Sequence, residues 1–222
     1  MTNDSAIFLD FSNTITTVES ENEAMDRYLS FIRERYNLDD GIFKKFRDLR
    51  SEKLIQRENK FKTFMEINME VLRELYGIHD IYPERYYEYH VKFLRLRPDF
   101  HLFATSIKGL TKIVMVTDAD TEYTARTVAA LGISEIFDAI VTAEQMRISK
   151  PNPGIFMEAL RRAGNPTRVV FVGDSERRDV EGAKRMKFFT ILMGNGNDHT
   201  SADAMVVNFK EVLDILEKME IL

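Results

Sequence analysis

The second half of the chain alternates short apolar runs with stretches of helical period. The runs are residues 113–116, 139–141, 169–172 and 188–193. Each is rich in β-branched or aromatic residues and short enough for a buried strand. A further run, residues 6–9, lies near the N-terminus. Between the later runs, residues 121–131 form an amphipathic stretch that stops at Gly132. Asn152-Pro153 opens a helix over 154–163, since proline is tolerated in a helix's first turn. A third helix is predicted over 179–186. Repeated strand–helix–strand units predict an α/β fold with a parallel sheet and right-handed crossovers.

Residues 20–97 differ, with helical periodicity and no convincing strand. Met25, Leu29, Ile32 and Tyr36 share one face; Phe61, Phe64, Met65, Leu72 and Leu75 share another. Tyr86, Tyr89, Phe93 and Leu96 follow Pro83, a good helix starter, and Pro98 closes the segment. The expected organisation is an α/β unit of residues 1–18 and 99–222, with a helical subdomain of residues 19–98 inserted after the first strand and built on its own small core. The junctions near 16–20 and 97–100 are candidate hinges.

Composition narrows the functional classes. With 222 residues and 44% hydrophobic content, the chain can bury a substantial core. The net charge of -5 predicts no general attraction to nucleic acid or to an anionic membrane surface. The absence of cysteine excludes disulfides, thiolate zinc sites and cysteine catalysis. The start, Met1-Thr2-Asn3-Asp4-Ser5, is polar, and no signal peptide or membrane-length apolar run is apparent. A cytoplasmic globular protein is expected, with no nucleic-acid or membrane partner; the oligomeric state is left open.

Chemistry-bearing residues sit where strands should end. Asp10 follows the first run, leading into Phe11-Ser12-Asn13-Thr14. Thr117-Asp118 follows the second, Lys150-Pro151 precedes a helix, and Gly173-Asp174 with Asp179 nearby follows residues 169–172. Open parallel sheets place ligands at the carboxyl ends of their strands. Together and in this order, these pieces resemble the four motifs of the haloacid dehalogenase-like (HAD) hydrolases. The resemblance covers residues 6–193, and the helical insertion falls where that family places its cap.

The resemblance implies a Rossmann-like sheet ordered 5-4-1-2-3 and a magnesium-dependent reaction on a small phosphorylated substrate. Asp10 would attack phosphorus and form an aspartyl-phosphate. Asp10 and Asp174 would hold Mg²⁺ with the backbone carbonyl of Ser12, and Asp179 would hold metal-bound waters or orient Lys150. Thr117 and Asp118 fall at the phosphate-binding position. Lys150 would neutralise the phosphate and keep Asp10 ionised. Asn13 suits a tight turn because Asn tolerates left-handed backbone geometry.

Ser12 departs from the family pattern. Phosphatases of the family carry there an Asp that protonates the leaving alkoxide and then activates water. Serine is a poor proton donor, and losing a positioned acid–base group costs roughly 10²- to 10⁴-fold in rate. Another acid could substitute, with Glu19, Asp118, Asp120 and Glu176 as candidates. A good leaving group could remove the need. The chain could instead be a slow or non-catalytic relative that binds phosphate or a partner. A haloacid hydrolase would lack Asp174's role, and a phosphonate hydrolase would need a lysine such as Lys44, Lys45, Lys53 or Lys60. The basic run of residues 43–50 reads as a polar helix face, and Tyr86, Tyr87, Tyr89 and His90 as packing that could also line a pocket. His79, His90, His101 and His199 lack metal-ligand spacing. Gly194-Asn195-Gly196-Asn197 reads as a flexible connection.

Overall fold

A computed structural model describes residues 4–194 and 200–222; most of the 194–197 connection and His199 lie outside them. Six strands form one parallel sheet: β1 (Ser5–Leu9), β2 (Lys112–Thr117), β3 (Ala139–Thr142), β4 (Arg168–Gly173), β5 (Phe189–Met193) and β6 (Ala204–Val206), in spatial order β3-β2-β1-β4-β5-β6. Taken from the opposite edge this is the expected 5-4-1-2-3, with one more strand beside β5. β6 has only three residues, too few for a periodic signal, and exists through its pairing of Ala204 to Val206 with Ile191 to Met193.

Both faces of the sheet are covered, which explains the near-continuous apolar runs. Successive side chains point to opposite faces. Ala6, Phe8, Val114, Val116 and Phe171 therefore join one apolar cluster, while Ile7, Leu9, Ile113, Met115, Val170 and Val172 join the other.

Between β1 and β2 lie α1 (Val18–Tyr36), α2 (Gly41–Gln56), α3 (Phe64–Tyr76), α4 (Pro83–Phe93) and α5 (Phe100–Ile107). Local chemistry starts two of them. The Thr17 hydroxyl accepts from Ser20 N at α1, and Thr63 and Glu66 form a reciprocal capping box at α3. The interior of this helical block is not a separate core. It runs into the apolar layer on one sheet face through aromatic contacts, Tyr28–Tyr86 (5.3 Å), Tyr86–Tyr123 (5.9 Å) and Tyr123–Phe11 (6.4 Å). Its entry and exit run side by side: Thr16 and Leu96 form an antiparallel bridge, and Arg97 N donates to Ile15 O at 2.9 Å.

The remaining helices are α6 (Thr121–Ala130), α7 (Ala143–Met146), α8 (Pro153–Ala163), α9 (Glu181–Arg185) and α10 (Phe209–Lys218). The helix expected over 179–186 is divided. Glu176–Val180 forms a wider π-helical turn before α9, with Ser175 O accepting from both Asp179 N (3.0 Å) and Val180 N (3.2 Å). That turn carries Asp179 inward.

Candidate active site

Three neighbouring strands, β2, β1 and β4, deliver their following residues to one place. Strand register sets Leu9 beside both Met115 and Val172, and Asp10 N donates to Val172 O at 2.9 Å. Asp10, Thr117-Asp118 and Asp174 therefore meet at the carboxyl end of the sheet. Lys150 arrives from the loop before α8.

Lys150 lies between two carboxylates. Its Nζ is 2.6 Å from Asp10 Oδ1 and 2.6 Å from Asp179 Oδ1, and all three side chains are buried. Asp10 Oδ2 accepts from the Thr14 hydroxyl at 3.2 Å, and Asp179 Oδ2 from Ser175 N at 3.0 Å. Carboxylate oxygens of Asp10, Asp174 and Asp179 lie within 4.8 Å of one another. Burial raises the Asp10 carboxyl above its ordinary value; Lys150 opposes that, while Asp179 and Asp174 add to it. Burial alone would depress the Lys150 ammonium, but Asp10, Asp179 and Asp118 carry it above its ordinary value. Lys150 stays charged and works against the repulsion among the acids.

Backbone features make room for this cluster. A Cβ on Gly173 would lie 2.4 Å from Asp179 Cγ, so glycine is what lets Asp179 turn in. Asn13 has φ of 63°, the left-handed geometry expected of it, and its Nδ2 donates to Asp174 Oδ2 at 3.3 Å. Arg97, returning from the helical block, donates to Thr14 O (2.9 Å) and Asn13 O (2.8 Å) and so grips the loop after Asp10.

The other expected residues have definite places. Thr117 Oγ1 accepts from Ala119 N at 3.1 Å, which leaves its O–H free to donate. Asp118 is committed elsewhere: Oδ1 accepts from Lys150 N at 2.9 Å, and its carbonyl accepts from the buried Arg57 at 2.8 Å. Asp120 accepts from Phe64 N (2.7 Å) and Met65 N (2.9 Å), docking the start of α3 on this loop. Glu19 is exposed, and Glu176 holds Ser201 N at 2.8 Å. None of these four candidate acids, Glu19, Asp118, Asp120 or Glu176, hydrogen-bonds the Ser12 side chain.

Glu21 does, and sequence reading missed it. Its carboxylate accepts from the Thr16 hydroxyl (2.5 Å) and the Tyr123 hydroxyl (3.3 Å), and the Ser12 side chain interacts with it as well. Burial raises its carboxyl, against the lowering effect of these hydrogen bonds. A signal was present: Glu21 precedes Met25 by one helical turn and shares its face with the apolar stripe of α1.

Beside this cluster a cavity of about 300 Å³ opens between the strand ends and the helical block, with Ser12, Glu21, Arg50, Tyr86, His90 and Tyr123 in its wall. Tyr86 and His90 thus serve both as packing and as lining. Lys44, Lys45, Lys53 and Lys60 do not line it.

The family model for haloacid dehalogenase-like hydrolases matches residues 5–187. The chain belongs to this family. Among curated relatives it is 35% identical over 98 residues to the glyceraldehyde 3-phosphate phosphatase of Methanopyrus kandleri, covering 40% of this chain and 42% of that one. It is 34% identical over 142 residues to the protein of the same name from Methanothermobacter thermautotrophicus, covering 60% and 63%. The chain thus matches less than two thirds of the length of these relatives. The magnesium-bound HAD hydrolase YfnB of Bacillus subtilis superposes with a TM-score of 0.80 over 96% of this chain and 98% of that one, at 17% identity, which is a likeness of fold. This HAD hydrolase therefore carries the family's fold with Ser12 in the first motif.

Proposed function

We propose that the protein is a phosphatase that hydrolyses small phosphate monoesters with a magnesium ion, residues 1–18 and 99–222 forming the catalytic unit and 19–98 a cap over the cavity. The observation that carries this is Lys150 held between Asp10 and Asp179 at 2.6 Å each, with Asp174 alongside. Three buried or half-buried carboxylates with one ammonium among them are an excess of negative charge suited to a hard divalent cation. Asp10, Asp174 and the Ser12 carbonyl would hold it, with Asp179 engaged mainly by Lys150 and Ser175 N. When bound, magnesium neutralises charge on the carboxylates and the phosphate and orients the oxygens.

The chain's own groups account for the rest. Asp10 attacks phosphorus as the ester oxygen leaves, and water then cleaves the acyl phosphate to release inorganic phosphate and restore Asp10. Lys150 and the Thr117 hydroxyl stabilise the charge on the transferring group. The acid–base work is rerouted: Glu21 gives a proton to the leaving oxygen through the Ser12 hydroxyl and takes one back from the attacking water. Burial suits it, because a raised carboxyl remains a proton donor at higher pH than a free one.

Magnesium-dependent release of phosphate from 4-nitrophenyl phosphate tests the function. Turnover should be present and fall to background in Asp10→Asn; binding of metal and phosphate without turnover would instead indicate a non-catalytic relative. The rerouting has its own test. Ser12→Asp should raise turnover of alkyl phosphates far more than of aryl phosphates, whose leaving groups need little protonation. Equal gains would dispose of it.

A further inference from the structure

One guanidinium in the cavity wall forms no ion pair with a carboxylate among the described residues. Arg47, also in that wall, is held by Asp26 at 2.6 Å and by the Phe43 carbonyl at 3.2 Å. Arg178 belongs to the strand-end side, 3.8 Å from Asp118 and in the field of Asp179, Asp10 and Asp174. Arg50 is different. Its Nε donates to Oδ1 of the buried Asn68 at 2.9 Å, and its guanidinium lies 5.1 Å from the centre of the Phe64 ring. Among the described residues it forms no ion pair, and neither Nη atom makes a hydrogen bond. Glu21 shares the cavity and feels the Arg50 charge, but forms no ion pair with it; its oxygens are held by Thr16 and Tyr123. Arg50 is thus fixed at one edge and one face, with its outer nitrogens uncommitted at the cavity wall.

We infer that Arg50 binds a second anionic group of the substrate, a carboxylate, so that the preferred substrates are small phosphorylated carboxylic acids. This rests on the phosphatase function proposed above. The two outer nitrogens of one guanidinium match the two oxygens of a carboxylate. A second phosphate would bring nearly twice the charge, while the other two guanidiniums of the wall, Arg47 and Arg178, are engaged by Asp26 and Asp118. An ester with an uncharged tail would close over Arg50 and leave a desolvated cation unpaired, which selects against it. Arg50 sits on α2 beside Phe46 and Leu54 in the cavity wall, although the sequence reads it as part of a polar helix face.

The test compares kcat/KM for 2-phosphoglycolate and 3-phosphoglycerate with that for glycerol 3-phosphate and glyceraldehyde 3-phosphate, in the natural protein and in Arg50→Gln. The natural protein should prefer the carboxylates. Arg50→Gln should lower their kcat/KM by about 10- to 100-fold, mainly through KM, the worth of a charge-assisted pair. The uncharged-tail esters should stay within about twofold. A uniform loss across all four, or a natural preference for the uncharged tails, overturns the inference. Turnover of 4-nitrophenyl phosphate reports separately on the phosphatase function. Should it be absent, calorimetric binding of 2-phosphoglycolate and ethyl phosphate still decides. A preference of about tenfold or more for 2-phosphoglycolate that disappears in Arg50→Gln supports the carboxylate site, and equal or undetectable binding of both overturns it. Thermal melting of both proteins identifies a variant that fails to fold, and Arg50→Lys, which keeps the charge without the fork, then replaces it and should keep part of the preference; a loss equal for all four esters in that variant overturns the inference.

Discussion

The two walls of the cavity are built in opposite ways. On the sheet side, the functional groups sit on the loops after the strands, and on the loop before α8 for Lys150, and are fixed by bonds involving the backbone: Asp10 N to Val172 O, Lys150 N to Asp118 Oδ1, Ser175 N to Asp179 Oδ2. On the helix side, Glu21, Arg50, Tyr86 and His90 project from helices whose positions depend on packing. On the function proposed above, the first wall would supply the reacting groups that any phosphate ester needs. The second supplies groups that would meet the rest of the substrate. Changes to the sheet side should therefore act on rate for every substrate, while changes to the helix side should act on selectivity, pH response or stability.

Lys150→Met gives the largest effect expected from this contrast. It removes the cation between Asp10 and Asp179 and the electrostatic partner of the phosphate, so kcat should fall about 10²- to 10³-fold for alkyl and aryl substrates alike. Stopped-assay kinetics on both substrate classes checks it. A loss confined to one class would put Lys150 with the helix side and break the division.

His90 is expected to give an effect on stability. Burial depresses its ring to about 4 from 6.5, opposed by the hydrogen bond that its Nδ1 donates to Tyr86 O at 2.8 Å and reinforced by Arg50. Above about 6.5 the ring is neutral in both folded and unfolded chains, and its contribution is complete. As pH falls from there towards about 4, the unfolded chain takes up a proton that the folded chain refuses, and stability declines. The full difference is about 3 kcal/mol. His90→Gln should flatten that part of the curve relative to the natural protein, measured by urea denaturation at a series of pH values. An unchanged slope would show that the ring is solvated in the folded protein.

Arg97 joins the two regions, and its effect should be the smallest. It reaches from the end of the helical block to the carbonyls of Asn13 and Thr14 and also, at 3.4 Å, to that of Val207. Arg97→Met should leave KM nearly unchanged and lower kcat by about tenfold, because the loop carrying Asp10 loses its clamp while no substrate contact is removed. Arg97→Lys should recover part of it. A change in KM alone would mean that Arg97 shapes the cavity rather than the loop.

Asp10, Thr117, Lys150, Asp174 and Asp179 could be named because, in order, they resemble the family's motifs; parallel α/β topology is why the loops that carry them meet at one end of the sheet. The helix-side residues could not be named so. Arg50 and Lys44 lie in the same basic run, yet Lys44 is exposed and paired with Asp48 on its own helix while Arg50 lines the cavity. Helical period says which residues share a face, but not what that face meets. The same limit hid Glu21, whose phase with Met25 was readable while its meeting with Ser12 and Tyr123 was not.

What the sequence determined by itself is local: strand and helix content, the inward alternation of β1, β2 and β4, the caps at Thr17 and Thr63, and the left-handed turn at Asn13. These follow from side-chain period and backbone preference over a few residues. Only the tertiary structure decided that β6 pairs with β5, that the helical block shares its interior with the sheet, and that Glu21 lies beside Ser12. Each depends on contacts between distant segments, whose geometry is fixed by packing of whole elements and leaves no mark in a short stretch of chain.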